Sequence, residues 1–189
     1  MNRLLPAVAL IATALPLQAQ ASGDYEYPYS GVSGGLASLS DACDNSGSSC
    51  DDETSFFRVY SGARLLSNFG VEVGYTQSQD FELADSPSTD LSLQGLDVTG
   101  LVHMPLAERI DVFAKLGGLF WNSELDAAGS ASADESGFSV RTGVGAQMGV
   151  TDNLFLRADF DYIPNVDYGS ATSSDDDLSL ISASIQYHF

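Results

Sequence analysis

The chain has 189 residues, with 26 Asp and Glu against 7 Lys and Arg, for a formal net charge of −19. Such acidity excludes nucleic acid as a partner, because phosphates are met by Lys and Arg. A hydrophobic content of 44% with only 17% charged residues points to a packed fold, not a disordered chain. The N-terminus carries one cation, Arg3, then an apolar run from Leu4 to Leu15, then Ala19-Gln20-Ala21. That is the plan of a secretory signal peptide, with an apolar core too short for a stable membrane span. Residues 1–21 are therefore expected to be removed, leaving 22–189 as one domain. No later stretch offers the ~18 consecutive apolar residues of a transmembrane helix.

Eight segments of period-two alternation follow, and each predicts a strand. In chain order they are Tyr29–Ser40, Ser55–Leu66, Phe69–Phe81, Leu91–Met104, Ile110–Glu124, Gly137–Val150, Leu154–Asp167 and Leu178–Phe189. Each is near or above the roughly 9–11 residues that a tilted strand needs to cross a bilayer. The connections Ser67-Asn68, Pro105–Arg109 and Thr151–Asn153 are short. Asp41–Thr54, Glu82–Asp90, Asp126–Ser136 and Tyr168–Asp177 are longer and polar. In the last segment Ile181, Ala183, Ile185, Tyr187 and Phe189 share one parity, and Ser182, Ser184, Gln186 and His188 the other. The expected fold is all-β: an eight-stranded antiparallel up-and-down transmembrane β-barrel. Closure satisfies every backbone polar group, so a barrel is the non-helical structure that can span lipid. Short turns on one side and long loops on the other mark the periplasmic and outer ends, with both termini expected in the periplasm of a Gram-negative cell.

Charge decides which face is inward. Val71, Val73 and Tyr75, Leu96, Val98 and Val102, Val140, Thr142, Val144, Ala146 and Met148, and Leu154, Leu156, Ala158, Phe160 and Tyr162 are placed toward lipid. Arg58, Arg64, Glu72, Asp97, Lys115, Arg141, Arg157, Asp159 and Asp161 share the opposite parity with Gly62, Gly74, Gly117, Gly143, Gly145 and Gly149. In a soluble sandwich those charges would be buried at several kcal/mol each unless paired. In a barrel lumen they are ordinary. Lys115 inward puts Trp121 inward too, unless Gly117-Gly118 holds a bulge that flips the register. Cys43 and Cys50 sit in a polar segment without neighbouring His, so in an oxidising compartment they are expected to form a disulfide instead of a metal site. The long loops concentrate Asp and Glu and contain no Lys or Arg. That predicts a self-repelling, solvated crown, with divalent-cation binding as the sharper alternative; the D-x-[DN]-x-[DN]-G calcium pattern is missing.

Gln94-Gly-Leu-Asp-Val-Thr-Gly-Leu-Val-His-Met-Pro-Leu106, and Ile110-Asp-Val-Phe-Ala-Lys-Leu-Gly-Gly-Leu-Phe-Trp121, resemble strands 4 and 5 of the outer membrane protein A transmembrane domain. Gly70-Val-Glu-Val-Gly-Tyr75 is similar to that family's third strand, and Thr151 through Asp161 to its seventh. The resemblance implies a lumenal ion-pair cluster, matched here by Glu72, Arg157 and Asp159 with Lys115 and Arg141 beside them. Leu101 stands where the family has a basic residue and Gln147 where it has an acid. The terminal Tyr187 and Phe189 resemble the family's assembly signal. Implied partners are outer membrane lipid and lipopolysaccharide, the outer membrane assembly machinery and periplasmic chaperones, for a monomeric barrel. The family's periplasmic peptidoglycan-binding domain is not expected, since the sequence ends at Phe189.

No enzyme is expected, and no catalytic residue, cofactor or metal. His103 and His188 both fall at the periplasmic end on the lumenal parity, away from outer-leaflet lipid, and no Walker loop, zinc motif or nucleophile elbow is present. The expected function is a small structural, porin-like outer membrane barrel with an ion-paired, largely closed lumen. A narrow low-conductance pore and a surface adhesion or cation-binding role are the alternatives.

Overall fold

A computed structural model describes residues 27–39, 53–78, 81–85, 88–127, 133–166 and 176–189. Its strands are β1 Tyr27–Leu39, β2 Glu53–Arg64, β3 Phe69–Ser78, β4 Phe81–Asp85, β5 Ser88–Ala107, β6 Ile110–Ala127, β7 Ala133–Gly149, β8 Leu154–Val166 and β9 Asp176–His188. All ladders are antiparallel between neighbours in sequence, and β1 pairs with β9 while β3 pairs with β5. β4 pairs on β5 beyond the end of β3, so β3 and β4 together form one stave of an eight-stranded barrel. Register partners can be followed once around the wall from Ala37 through Leu180, Asp161, Gly143, Lys115, Leu101, Gly70 and Arg64. The path returns to β1 at Tyr27, ten residues below Ala37. That stagger tilts the strands and leaves an interior just wide enough for side chains.

The alternation of side chains sorts the wall as its sequence demands. Val71, Val73, Val98, Val144, Phe160, Ile181 and Ile185 are exposed on the outside. Arg58, Glu72, Asp97, Lys115, Arg141, Arg157, Asp159 and Asp161 are buried inside. β6 pairs through Gly117 and Gly118 with no register shift, so Trp121 points inward, where its Nε1 donates to Ser139 Oγ at 3.0 Å.

The ladders run further than alternation suggested. β5 continues through Pro105, with its register shift between Pro105 and Ala107. A proline lacking a donor is accommodated at such a bulge. At the loop end, β4, β5, β6 and β7 extend into acidic segments expected to be loops. Those segments are rich in Asp, Glu and Ser, which obscures alternation, and backbone pairing does not need it. Cys43 and Cys50 lie outside the described residues.

A lumenal charge ring as candidate functional site

Eight buried ionisable groups meet inside the barrel, carried by six elements: Arg58 on β2, Glu72 on β3, Asp97 on β5, Lys115 on β6, Arg141 on β7, and Arg157, Asp159 and Asp161 on β8. Glu72 is bound by Arg58 at 2.9 Å and by Arg157 at 2.6 Å. Arg58 also reaches Asp97 at 2.7 Å, and Asp97 receives Arg141 at 2.8 Å. Arg141 reaches Asp161 at 2.7 Å, and Asp161 lies 2.8 Å from Lys115 Nζ. Lys115 reaches Asp159 at 2.7 Å, and Asp159 returns to Arg157 at 2.7 Å. The pairs close into a ring of alternating sign, in which every member touches two of the opposite charge. The ring is electrically neutral. This matters because an unpaired buried ion costs several kcal/mol, while a paired and hydrogen-bonded one is tolerated.

Neighbours fix the guanidinium planes. Arg157 lies over the Phe113 ring at 4.4 Å and the Tyr60 ring at 5.0 Å, and Arg58 lies over the Tyr60 ring at 4.9 Å. Such cation–π contacts strengthen on desolvation. Tyr29 donates its hydroxyl to Glu72 at 3.2 Å, and Tyr60 donates to Gln186 Oε1 at 3.2 Å. β1 and β9 carry no ring charge, and contribute Tyr29 and Gln186 at the seam where the barrel closes. Glycine opposite each tyrosine makes the room: Gly62 pairs with Tyr29 and Gly31 with Tyr60. A Cβ on Gly31 would sit 2.4 Å from the Tyr60 ring, and one on Gly62 2.6 Å from the Tyr29 ring.

Toward the turn end the lumen becomes polar and aromatic. Arg64 pairs with Asp111 at 3.0 Å, and Gln147 donates to the same carboxylate at 3.2 Å. His188 is stacked between Phe155 at 4.0 Å and Tyr29 at 5.5 Å. His103 is buried and packs on Phe113. No nucleophile–base pair forms around either histidine, and no group of three potential metal ligands exists among the described residues. Leu101 is fully buried inside, between Gly70 on β3 and Lys115 on β6.

The geometry brings Glu72, Arg157, Asp159, Lys115 and Arg141 into one network and adds Arg58, Asp97 and Asp161. Parity alone put those three inside; their partners lie on adjacent or next-but-one strands and leave no mark in local sequence. Tyr187 and Phe189 stand on the outer face as a T-shaped pair 5.3 Å apart.

The outer membrane protein beta-barrel domain matches residues 7–189. The chain belongs to this family. Among curated relatives, outer membrane protein A of Yersinia pseudotuberculosis is 27% identical over 139 residues, covering 69% of this chain and 39% of the relative. Outer membrane protein A of Serratia marcescens is 25% identical over 137 residues, covering 69% and 38%. The chain thus spans about two fifths of the length of these relatives. The crystal structure of Neisserial surface protein A superposes with a TM-score of 0.65 at 18% identity, over 87% of this chain and 97% of that one. The N-terminal barrel domain of Pseudomonas aeruginosa OprF gives 0.57 at 12% identity, over 87% and 99%. Ail of Yersinia pestis, in complex with a heparin analogue, gives 0.57 at 17%, over 87% and 98%. These likenesses establish the barrel fold, and the family match gives the bacterial outer membrane as the setting.

Proposed function

We propose that this protein is a non-conducting structural barrel of the outer membrane, its lumen sealed by the charge ring. The observation that carries the reading is closure of the ring. Each carboxylate of the ring is held by two cations, and each cation by two carboxylates. Leu101 adds buried hydrocarbon beside the ring, in register with Gly70 and Lys115. Purified barrel in planar bilayers should show no steady conductance in 1 M salt, a concentration chosen because screening is then almost complete (Debye length ~3 Å). A stable open level in the unmodified protein would refute the reading.

The short turns are assigned to the periplasm and the long loops to the cell surface, with Tyr187 and Phe189 read by the assembly machinery after delivery by periplasmic chaperones. Outer membrane lipid and lipopolysaccharide surround a monomer. One observation also favours cation binding at the loop end. Register places Glu82 opposite Asp90, Asp90 opposite Asp126, and Glu124 opposite Asp134. Like charges directly opposite one another on paired strands are destabilising. Magnesium should therefore raise the melting temperature more than sodium at matched ionic strength. Equal effects of the two salts would remove this second reading. A polyanion such as the heparin analogue bound by Ail is a poor candidate for loops without Lys or Arg.

A further inference from the structure

The lumen changes chemistry just beyond the ring. On β8, Asp161 is followed on the same face by Ile163; on β6, Lys115 gives way to Leu119 and Trp121; on β2, Arg58 gives way to Phe56. On β9 the inward serines Ser182 and Ser184 give way to Leu180 and Leu178. With Ala37 and Leu39 of β1, these side chains form one buried cluster toward the loop end, with Leu93 packed against it. All are at most 6% exposed, Leu93 excepted. They occupy positions that face inward, on a wall whose outer face is already apolar at the same height: Phe57, Phe120 and Phe138 point out where Phe56, Leu119 and Trp121 point in.

We propose that this cluster is a second, water-excluding barrier in series with the charge ring, so that the lumen stays shut when the ring is broken. The inference rests on the closed-lumen reading and extends it. An eight-stranded barrel leaves one side chain's width of interior, and here eight apolar side chains fill it. The space left between them and Arg141 is about 20 Å³, room for about one water molecule. Its walls are mostly apolar, with Phe56, Leu119, Trp121, Ile163, Leu178 and Leu180 among them, and Thr76, Ser78, Gln94 and Arg141 also border it. Apolar constrictions of this kind close pores by dewetting. The two barriers answer to different forces. Charge substitution weakens the ring. Hydrocarbon packing is indifferent to it.

The test compares four full-length proteins in planar bilayers: unmodified, ring-broken (Arg157→Ala with Glu72→Gln), plug-broken (Leu119→Ser with Leu180→Ser), and all four substitutions together. Only the combined protein should conduct. Equal conductance of the ring-broken and combined proteins would overturn the proposal, as would silence of a combined protein that migrates as folded on unheated gels. Conductance of the plug-broken protein alone would support the apolar barrier while overturning the ring as a seal. Should the combined protein fail to fold, thiol labelling decides. Thr76 lines the residual cavity, and its Oγ1 is buried without a partner. With Cys43 and Cys50 replaced by serine, a small water-soluble reagent should label Thr76→Cys about tenfold faster in the plug-broken barrel, equivalent to lowering the access barrier by ~1.4 kcal/mol. Equal labelling rates would overturn the proposal.

Discussion

Replacing Arg157 by Ala removes one cation from a neutral ring. Arg157 holds Glu72 at 2.6 Å and Asp159 at 2.7 Å. Afterwards Glu72 retains Arg58 and the Tyr29 hydroxyl, and Asp159 retains Lys115. Neither carboxylate is orphaned, but the lumen holds one uncompensated negative charge. Breaking a buried pair from one side costs roughly 3–5 kcal/mol, and the surviving partners place this case near 3 kcal/mol. That corresponds to about a hundredfold in the folding equilibrium constant. Urea titration of the barrel folded into lipid vesicles, followed by heat-modifiable gel mobility, reads it directly. Glu72→Gln made alongside restores neutrality and leaves an alternating chain of six charges from Arg58 to Asp159. Because the ring is symmetric about Arg157, Asp159→Asn should rescue about as well. A loss under about 1 kcal/mol, the range of solvent-exposed pairs, would mean the lumen is wet and its charges screened. Rescue by one acid but not the other would mean that Arg157 serves one partner and the ring is not a unit.

Gly35→Ala should destabilise by about 1–3 kcal/mol, the usual cost of overpacking, because its Cβ would meet the Ile181 carbonyl at 2.0 Å; Gly34→Ala, with nothing nearer than 3.8 Å, should be neutral in the same titration. The single Trp of the chain, Trp121, faces the lumen, so brominated lipids should leave its fluorescence unquenched in folded barrels; strong quenching would reverse its facing. Phe189→Ala should lower the amount of folded protein in outer membranes, as judged by unheated gels of membrane fractions, and normal abundance would remove the terminal aromatic from assembly. In a background with Cys43 and Cys50 replaced by serine, Ala107→Cys should resist an impermeant thiol reagent on intact cells and react once the outer membrane is opened; reaction on intact cells would invert the proposed orientation.

The wall was legible in the sequence because lipid enforces a strict parity on it. Val71, Val73 and Tyr75, or Ile181, Ile185 and Tyr187, can be assigned without knowing their neighbours. Parity also delivered Lys115 and Arg157 to the interior. It could not say that Arg58 reaches Asp97 across two strands, because that contact depends on stagger around the wall and not on spacing along it. The apolar cluster was hidden for a related reason. Leu178 and Leu180 share the parity of Ser182 and Gln186, so the face is uniform in direction but changes chemistry partway along. The β4–β5 ladder was missed because β4 is only five residues long, too short a run for alternation to stand out among the acidic residues around it.

Three of the ring's eight charges sit on β8, and both carboxylate partners of Lys115 are among them. β8 is the last but one strand in chain order. A barrel assembled only through β7 would enclose Lys115 without either anion, and Arg141 with Asp97 alone. Its interior would hold more positive than negative charge and would retain water. A dry interior therefore requires Arg157, Asp159 and Asp161, and β9 adds no charge: Gln186 meets Arg157 and Tyr60, and His188 meets Tyr29 and Phe155. The ring makes β8 the strand whose charges separate an open, hydrated sheet from a dry, neutral cylinder.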